Sequence, residues 1–228
     1  MQLITFLRAR QERKPVEFQE WYLNRFASRM QQDCPFVLRH VVNLTEAGPE
    51  ELRTMHDSDD PQARYDVVTQ LWCETVSEIR EASARQLNTD LLDWADVHHS
   101  YSVQERVVLD KSNAQSNRQN GFKLLRELIF FEDLSDAAAK RCWAHHGNLA
   151  VKIHVGMTRY SQLWVEETLS PAPLPARGIS ELFFPTHEDL AQRYYESPRG
   201  REQVLHDTGH FIQKRLPRVY SHEHVVKA

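Results

Sequence analysis

Short apolar runs rich in β-branched and aromatic residues alternate with longer stretches of helical period along the 228-residue chain. In the first half, LITFLRA (3–9) reads as a strand. Pro15 opens PVEFQEWYLNRFASRM, where Phe18, Trp21, Tyr22 and Met30 fall on one helical face. PFVLRHVVNL (35–44) and YDVVTQLWCE (65–74) read as strands on either side of a polar, acidic loop, 45–63. TVSEIREASARQL (75–87) reads as a helix and HHSYSVQERVVL (98–109) as a fourth strand. The predicted order is β-α-β-β-α-β.

The second half repeats the plan. KLLRELIFFED (123–133) reads as a strand, and Ser135 caps a helix that runs through CWAHHGNLA (142–150). MTRYSQLWVEE (157–167) and ISELFFPT (179–186) are strands flanking a Pro-rich loop, SPAPLPARG. DLAQRYY and GREQVLHDTGHFI form a helix broken near Ser197-Pro198, and RVYSHEHVVK (218–227) is the last strand. Trp21 matches Trp143, His40 matches Tyr160, Asp90 matches Asp207, Trp94 matches Phe211 and Glu105 matches Glu223, at a nearly constant offset. That regularity points to an internal duplication. DKSNAQSNRQNG has almost no apolar residue and reads as a linker, giving a first repeat at 1–109, a linker at 110–121 and a second repeat at 122–228. Each repeat is expected to form a four-stranded antiparallel sheet with helices on one face. The bare faces would cover each other, sheet to sheet, and close a barrel with a pocket between them.

Composition narrows the function classes. A net charge of −4 gives no nucleic-acid footprint, and no basic tract resembles a membrane anchor. No apolar run nears the ~20 residues that span a bilayer, and the first ten residues lack the features of a signal peptide. Cys34, Cys73 and Cys142 are odd in number and far apart, which fits a reducing cytoplasm better than disulfides or a thiolate zinc site. The seven glycines form no phosphate loop, disfavouring a nucleotide cofactor. Twelve histidines are the compositional oddity.

HHGNLA (145–150), after an aromatic helix, resembles the His-Gly/Ala-Pro-Leu segment of EthD-like proteins of the dimeric α/β barrel superfamily. Asp207…Phe211 and the closing Ser221-His-Glu-His-Val-Val226 resemble that family's Asp-x-x-x-Phe and Glu-x-Val-Val patterns. Asp90…Trp94 and Gln104-Glu105-Arg-Val-Val108 match more loosely. The resemblance implies an α+β fold, two tandem ferredoxin-like repeats forming an intramolecular dimeric α/β barrel. It also implies isomerase, cyclase, dehydratase, decarboxylase or related lyase chemistry on aromatic or polyketide-derived small molecules, mostly without a cofactor. The wider superfamily also includes haem-binding members and cofactor-free monooxygenases. Asn148 stands where the family has Pro, and the first-half helix has no matching histidine, so one working site on the second half is expected.

His146 is three residues after Trp143 and shares its helical face. An imidazole titrates near ~6.5 and suits proton transfer beside a carbonyl. The plain alternative is a helix-end histidine bonded to a backbone carbonyl; His145 points to solvent. His40 and Tyr160, equivalent on the second strands, could donate to a developing enolate or simply fill the core. Trp164 shares a sheet face with Tyr160 by period two, as an aromatic floor or as core. Asp207, between His206 and His210, could orient a histidine or tie the fold, as its counterpart Asp90 suggests. His222 and His224 form an HxH that needs a third ligand to hold metal, and no metal is expected there.

The primary expectation is a cofactor-independent isomerase or lyase of the dehydratase/cyclase type, acting on a carbonyl-bearing aromatic, lactone or polyketide-like molecule. His146, Tyr160 and His40 would be catalytic; Trp143, Trp164, Asp207, His210 and Phe211 would bind substrate. The alternatives are a non-catalytic small-molecule binding or accessory protein and a haem- or metal-dependent enzyme. A small molecule is the expected partner, without nucleic acid or membrane, and a homodimer of the fused pair is plausible.

Overall fold

The segments expected as strands become β1 (Gln2–Ala9), β2 (Arg39–Glu46), β3 (Val67–Trp72), β4 (Ala95–Asp110), β5 (Phe122–Phe130), β6 (Arg159–Thr168), β7 (Gly178–Phe184) and β9 (Val219–Lys227), and a short β8 (Ile212–Arg215) is added to them. The computed structural model describes residues 1–52, 65–87, 89–111, 121–170 and 176–228. Most of the expected linker (112–120) and parts of the acidic loop (53–63) and Pro-rich loop (171–175) lie outside them. No described helix is long and apolar enough to cross a membrane.

Helices α1 (Pro15–Trp21), α2 (Ala27–Asp33), α3 (Val76–Gln86), α4 (Thr89–Leu92), α5 (Asp136–Ile153), α6 (His187–Gln192) and α7 (Pro198–Thr208) follow local start signals. The Thr75 side chain accepts from the Glu78 amide while Glu78 reaches back, a capping box that opens α3. Ser135 accepts from the Ala138 amide at the start of α5, and Ser197 from Gly200 with Pro198 at the first position of α7. Between α1 and α2 the chain widens into a π-turn, Tyr22–Phe26, which the apolar period does not reveal. Tyr22 and Phe26 are both buried there, and Trp21 stacks on Trp94 at 4.9 Å.

All strand pairs are antiparallel, in the order β7-β6-β4-β1-β3-β2-β9-β5, and β5 also pairs with β7 to close eight strands into a barrel. The first half is ordered β4-β1-β3-β2 and the second β9-β5-β7-β6, the same connectivity in each. The halves meet edge to edge through β4 with β6 and β2 with β9, so closure comes from hydrogen-bonded seams as well as facing sheets. The helix expected through residue 212 ends at Thr208. Ile212–Arg215 instead forms β8, pairing with the end of β5, and Pro217 breaks it from β9 because proline cannot donate to the ladder.

Period two sorts the side chains. Leu3, Leu7, Val42 and Leu71 face outward under α1–α3 with Phe18, Tyr22 and Ile79. Leu124, Tyr160 and Phe184, then Leu128, Phe130 and Trp164, form the outer face under α5–α7. Ile4, Phe6, Val68, Tyr101, Leu125, Leu163 and Ile179, drawn from both halves, pack inside the barrel.

Two polar networks share that interior. Lys123 Nζ, 1% exposed, lies 2.6 Å from Glu223, 3.2 Å from Glu181 and 2.8 Å from Gln70 Oε1. Arg159 pairs with Glu223 at 3.0 Å, and Asn43 donates to Gln70 at 3.0 Å. In the second network Glu127 accepts from the hydroxyls of Tyr65 and Tyr101, both at 2.8 Å, and lies 2.6 Å from His99 Nδ1. Each network joins residues of the first half to residues of the second.

Candidate active site

Apolar residues at helical spacing turn one side of α5 inward: Ala139, Trp143, His146, Gly147 and Ala150 are buried, while His145 is exposed. His146 Nδ1 lies 2.7 Å from Asp207 Oδ2 on α7, and its ring meets Phe211 at 5.8 Å. Burial lowers the His146 pKa, with Arg215 and His145 acting in the same direction, and Asp207 partly offsets the shift. With Nδ1–H donated to Asp207, the carboxylate fixes the tautomer and leaves Nε2 as the basic nitrogen. The first half has a parallel tie in which Arg29 on α2 pairs with Asp90 on α4. A carboxylate joining two helices is therefore common to both halves, and the imidazole belongs to the second alone.

Gly147 explains the small residue after the histidines. A Cβ there would stand 3.0 Å from Val108 Cγ1 and 3.4 Å from Gln162 Nε2, so glycine lets α5 settle on the outer face of β4 and β6. Gln162 completes that docking. Its Nε2 donates to the Trp143 carbonyl at 2.6 Å and to the Tyr160 hydroxyl at 3.1 Å, and its Oε1 accepts from Arg106 at 2.7 Å. Trp143 packs against Phe130 at 5.5 Å and Trp164 at 6.5 Å, in a space Gly178 leaves open. The structure thus gathers Trp143, His146, Tyr160, Trp164, Asp207 and Phe211 around α5.

His40 and His210 lie elsewhere, and Tyr160 takes part only from the outer face of β6. Tyr160 and His40 face the helices rather than the barrel interior, because the strand alternation turns Ser161 and Val41 inward instead. The Tyr160 hydroxyl is raised to about 12, by burial above all. His40 is buried in the first half beside Thr69 Oγ1 at 3.1 Å, apart from the α5 cluster. His210 is exposed and packs edge-on against His206 at 4.8 Å. His222 and His224 both face outward, and His222 is held by Glu46 at 2.9 Å and Phe122 at 4.4 Å. Among the described residues no three His, Cys, Asp or Glu side chains are placed to hold a metal.

Burial holds His40 and His154 neutral, each lowered from 6.5 to about 4. The unfolded chain therefore takes up these protons first, so their contribution to stability is full above pH 6.5 and falls as pH drops toward 4. Urea midpoints should decline between pH 7 and pH 4.5, and less steeply in His40→Gln. Equal slopes in the two proteins would remove His40 from that effect.

The haem implied as an alternative does not fit beside His146. The Asp207 bond would suit a metal-ligating histidine, but a haem-sized hollow would leave its lining accessible. Phe130, His146 and Phe211 are only 1–6% exposed. Two contributors to the site, Gln162 and Arg106, look like ordinary strand polars in the sequence. The interior Tyr65–His99–Glu127–Tyr101 cluster has no spacing signature either, because it draws on three separate segments.

No family model matches the chain, and no curated protein is similar to it in sequence. Its fold has clear counterparts among solved structures. An anthrone oxidase-like protein superposes with a TM-score of 0.63 at 8% identity, covering 100% of this chain and 93% of the other. A chlorite dismutase from Candidatus Nitrospira defluvii superposes with a TM-score of 0.58 at 10% identity, covering 98% and 90%. At such identities the likeness is one of architecture, and the chain has the dimeric α/β barrel fold shared by these chlorite dismutase-like and anthrone oxidase-like proteins.

Proposed function

We propose that the protein is a cofactor-independent isomerase or lyase, of the dehydratase/cyclase type, with His146 as its acid–base group. The observation that carries this reading is the 2.7 Å contact between His146 Nδ1 and Asp207 Oδ2. A buried imidazole oriented by a carboxylate has one defined basic nitrogen, which a carbonyl-adjacent proton transfer requires. The substrate class is a carbonyl-bearing aromatic, lactone or polyketide-like molecule, with Trp143 and Phe211 as apolar neighbours of the base. In this reading Tyr160 acts by supporting α5 through Gln162, and His40, buried beside Thr69 in the first half, lies outside the arrangement. The matching strand order of the halves supports a tandem origin.

The test is solvent-deuterium incorporation into a panel of enolisable aryl ketones and aryl lactones, read by mass spectrometry. Wild-type protein should catalyse exchange, and His146→Ala should slow it by roughly 10²-fold or more. Asp207→Asn should also slow it, because the amide can stabilise the wrong tautomer. Exchange unchanged in His146→Ala, or absent with wild-type protein across the panel, would sink the proposal. A second reading, binding without turnover, is favoured by the tight packing around His146. It predicts saturable ligand binding without exchange.

A further inference from the structure

A groove of about 350 Å³ runs between the first turns of α5 and the outer faces of β4 and β6. The small side chain of Ala144 leaves α5 without bulk where it faces β4 and β6. The walls are apolar at Trp143, Ala144 and Trp164, and cationic at Arg106, Lys140 and Arg141. Glu105 also lines it and accepts from Ser161 Oγ at 2.6 Å. His146 does not line this groove, so the inference is independent of the acid–base reading.

The cations are set in place. Arg106 Nη1 donates to Gln162 Oε1 at 2.7 Å, and Gln162, 3% exposed, is itself anchored to the Trp143 carbonyl. Lys140 sits 4.7 Å from the centre of the Trp164 ring and 3.2 Å from Glu166. Arg141 is exposed at the rim. We propose that the groove binds a small aromatic carboxylate. The ring would lie against Trp143, Ala144 and Trp164, and the carboxylate would face Arg106 and Lys140. The volume suits one or two rings. The guanidinium favours a planar, forked acceptor over a point anion. Arg106 comes from the first half and Lys140 from the second, so the site exists only where the two meet.

The test uses 2-naphthoate, 2-naphthamide and acetate as probes, with calorimetry and tryptophan fluorescence as readouts. Saturable 2-naphthoate binding is expected, with 2-naphthamide weaker by about tenfold or more. Acetate should show no saturation. Ala144→Leu, which fills the groove, should abolish naphthoate binding, and Arg106→Gln should weaken it about tenfold or more. Lys140→Gln, farther from the core, gives a second charge variant, and unchanged melting temperatures would show that all three fold. Amide binding equal to acid binding, naphthoate binding indifferent to these variants, or no saturation by naphthoate would overturn the assignment. Loss of exchange activity in His146→Ala with naphthoate binding intact would leave this site standing.

Discussion

Lys123→Met is expected to destabilise the protein by about 3–5 kcal/mol, because it breaks a buried ion network while leaving the opposite charges in place. Lys123 and Glu223 are each 1% exposed at the side chain and lie 2.6 Å apart. Burial alone would raise the Glu223 carboxyl, but Lys123 and Arg159 outweigh it and pull the pKa down from 4.5 to about 2. The unfolded chain therefore binds this proton first. The pair's stabilisation is full above pH 4.5 and is lost as pH falls toward 2. Without the ammonium that acid limb should flatten. Glu223→Gln in the Lys123→Met background should recover part of the loss, since the stranded carboxylate is gone. Urea unfolding of the two variants measures both effects. A cost below about 1 kcal/mol for Lys123→Met would mean that Arg159 alone satisfies Glu223.

Trp143→Ala is expected to cost about 3–5 kcal/mol from the cavity it opens. The indole is 3% exposed and fills the space between α5, Phe130, Trp164 and Gly178. Gly178 makes the test specific, because a Cβ there would stand 2.7 Å from Trp143 Cζ3 and 3.0 Å from Phe130. Gly178→Ala should therefore cost about 1–3 kcal/mol in the wild-type background by overpacking. In the Trp143→Ala background the same methyl should be nearly neutral or should recover stability. Additive effects would show that the two sites do not share that space.

The order of elements was legible because apolar period and helix start signals agree at Thr75, Ser135 and Ser197. The π-turn was not, because Phe18, Tyr22 and Met30 are buried whether or not the turn widens between them. β8 was hidden behind the helical pattern of residues 200–212, where pairing with β5 overrides local preference. At the site, spacing alone put Trp143 and His146 on one face. The bond from His146 to Asp207 depends on how α7 meets α5, which no local pattern encodes. Equating His40 with Tyr160 located the same strand position twice, but not its direction: both lie on the helix face, so neither reaches the barrel interior. Arg106 was invisible as a groove residue because its neighbours Lys140 and Gln162 come from the other half.

Closure of the sheet bears on how copies of this protein can associate. In the eight-stranded ring every strand has hydrogen-bonded neighbours on both sides, and β8 flanks β5 as a four-residue segment carrying Lys214 and Arg215. Long unpaired strands are the usual template for β-augmentation and fibril growth, and short charged ones are poor templates. Strand addition is therefore a poor route to self-assembly of the described fold, which favours side-chain surfaces on its outer layer. A homodimer of this barrel would be specified by shape and charge on its outer layer, and its affinity would respond to surface substitutions rather than to backbone pairing.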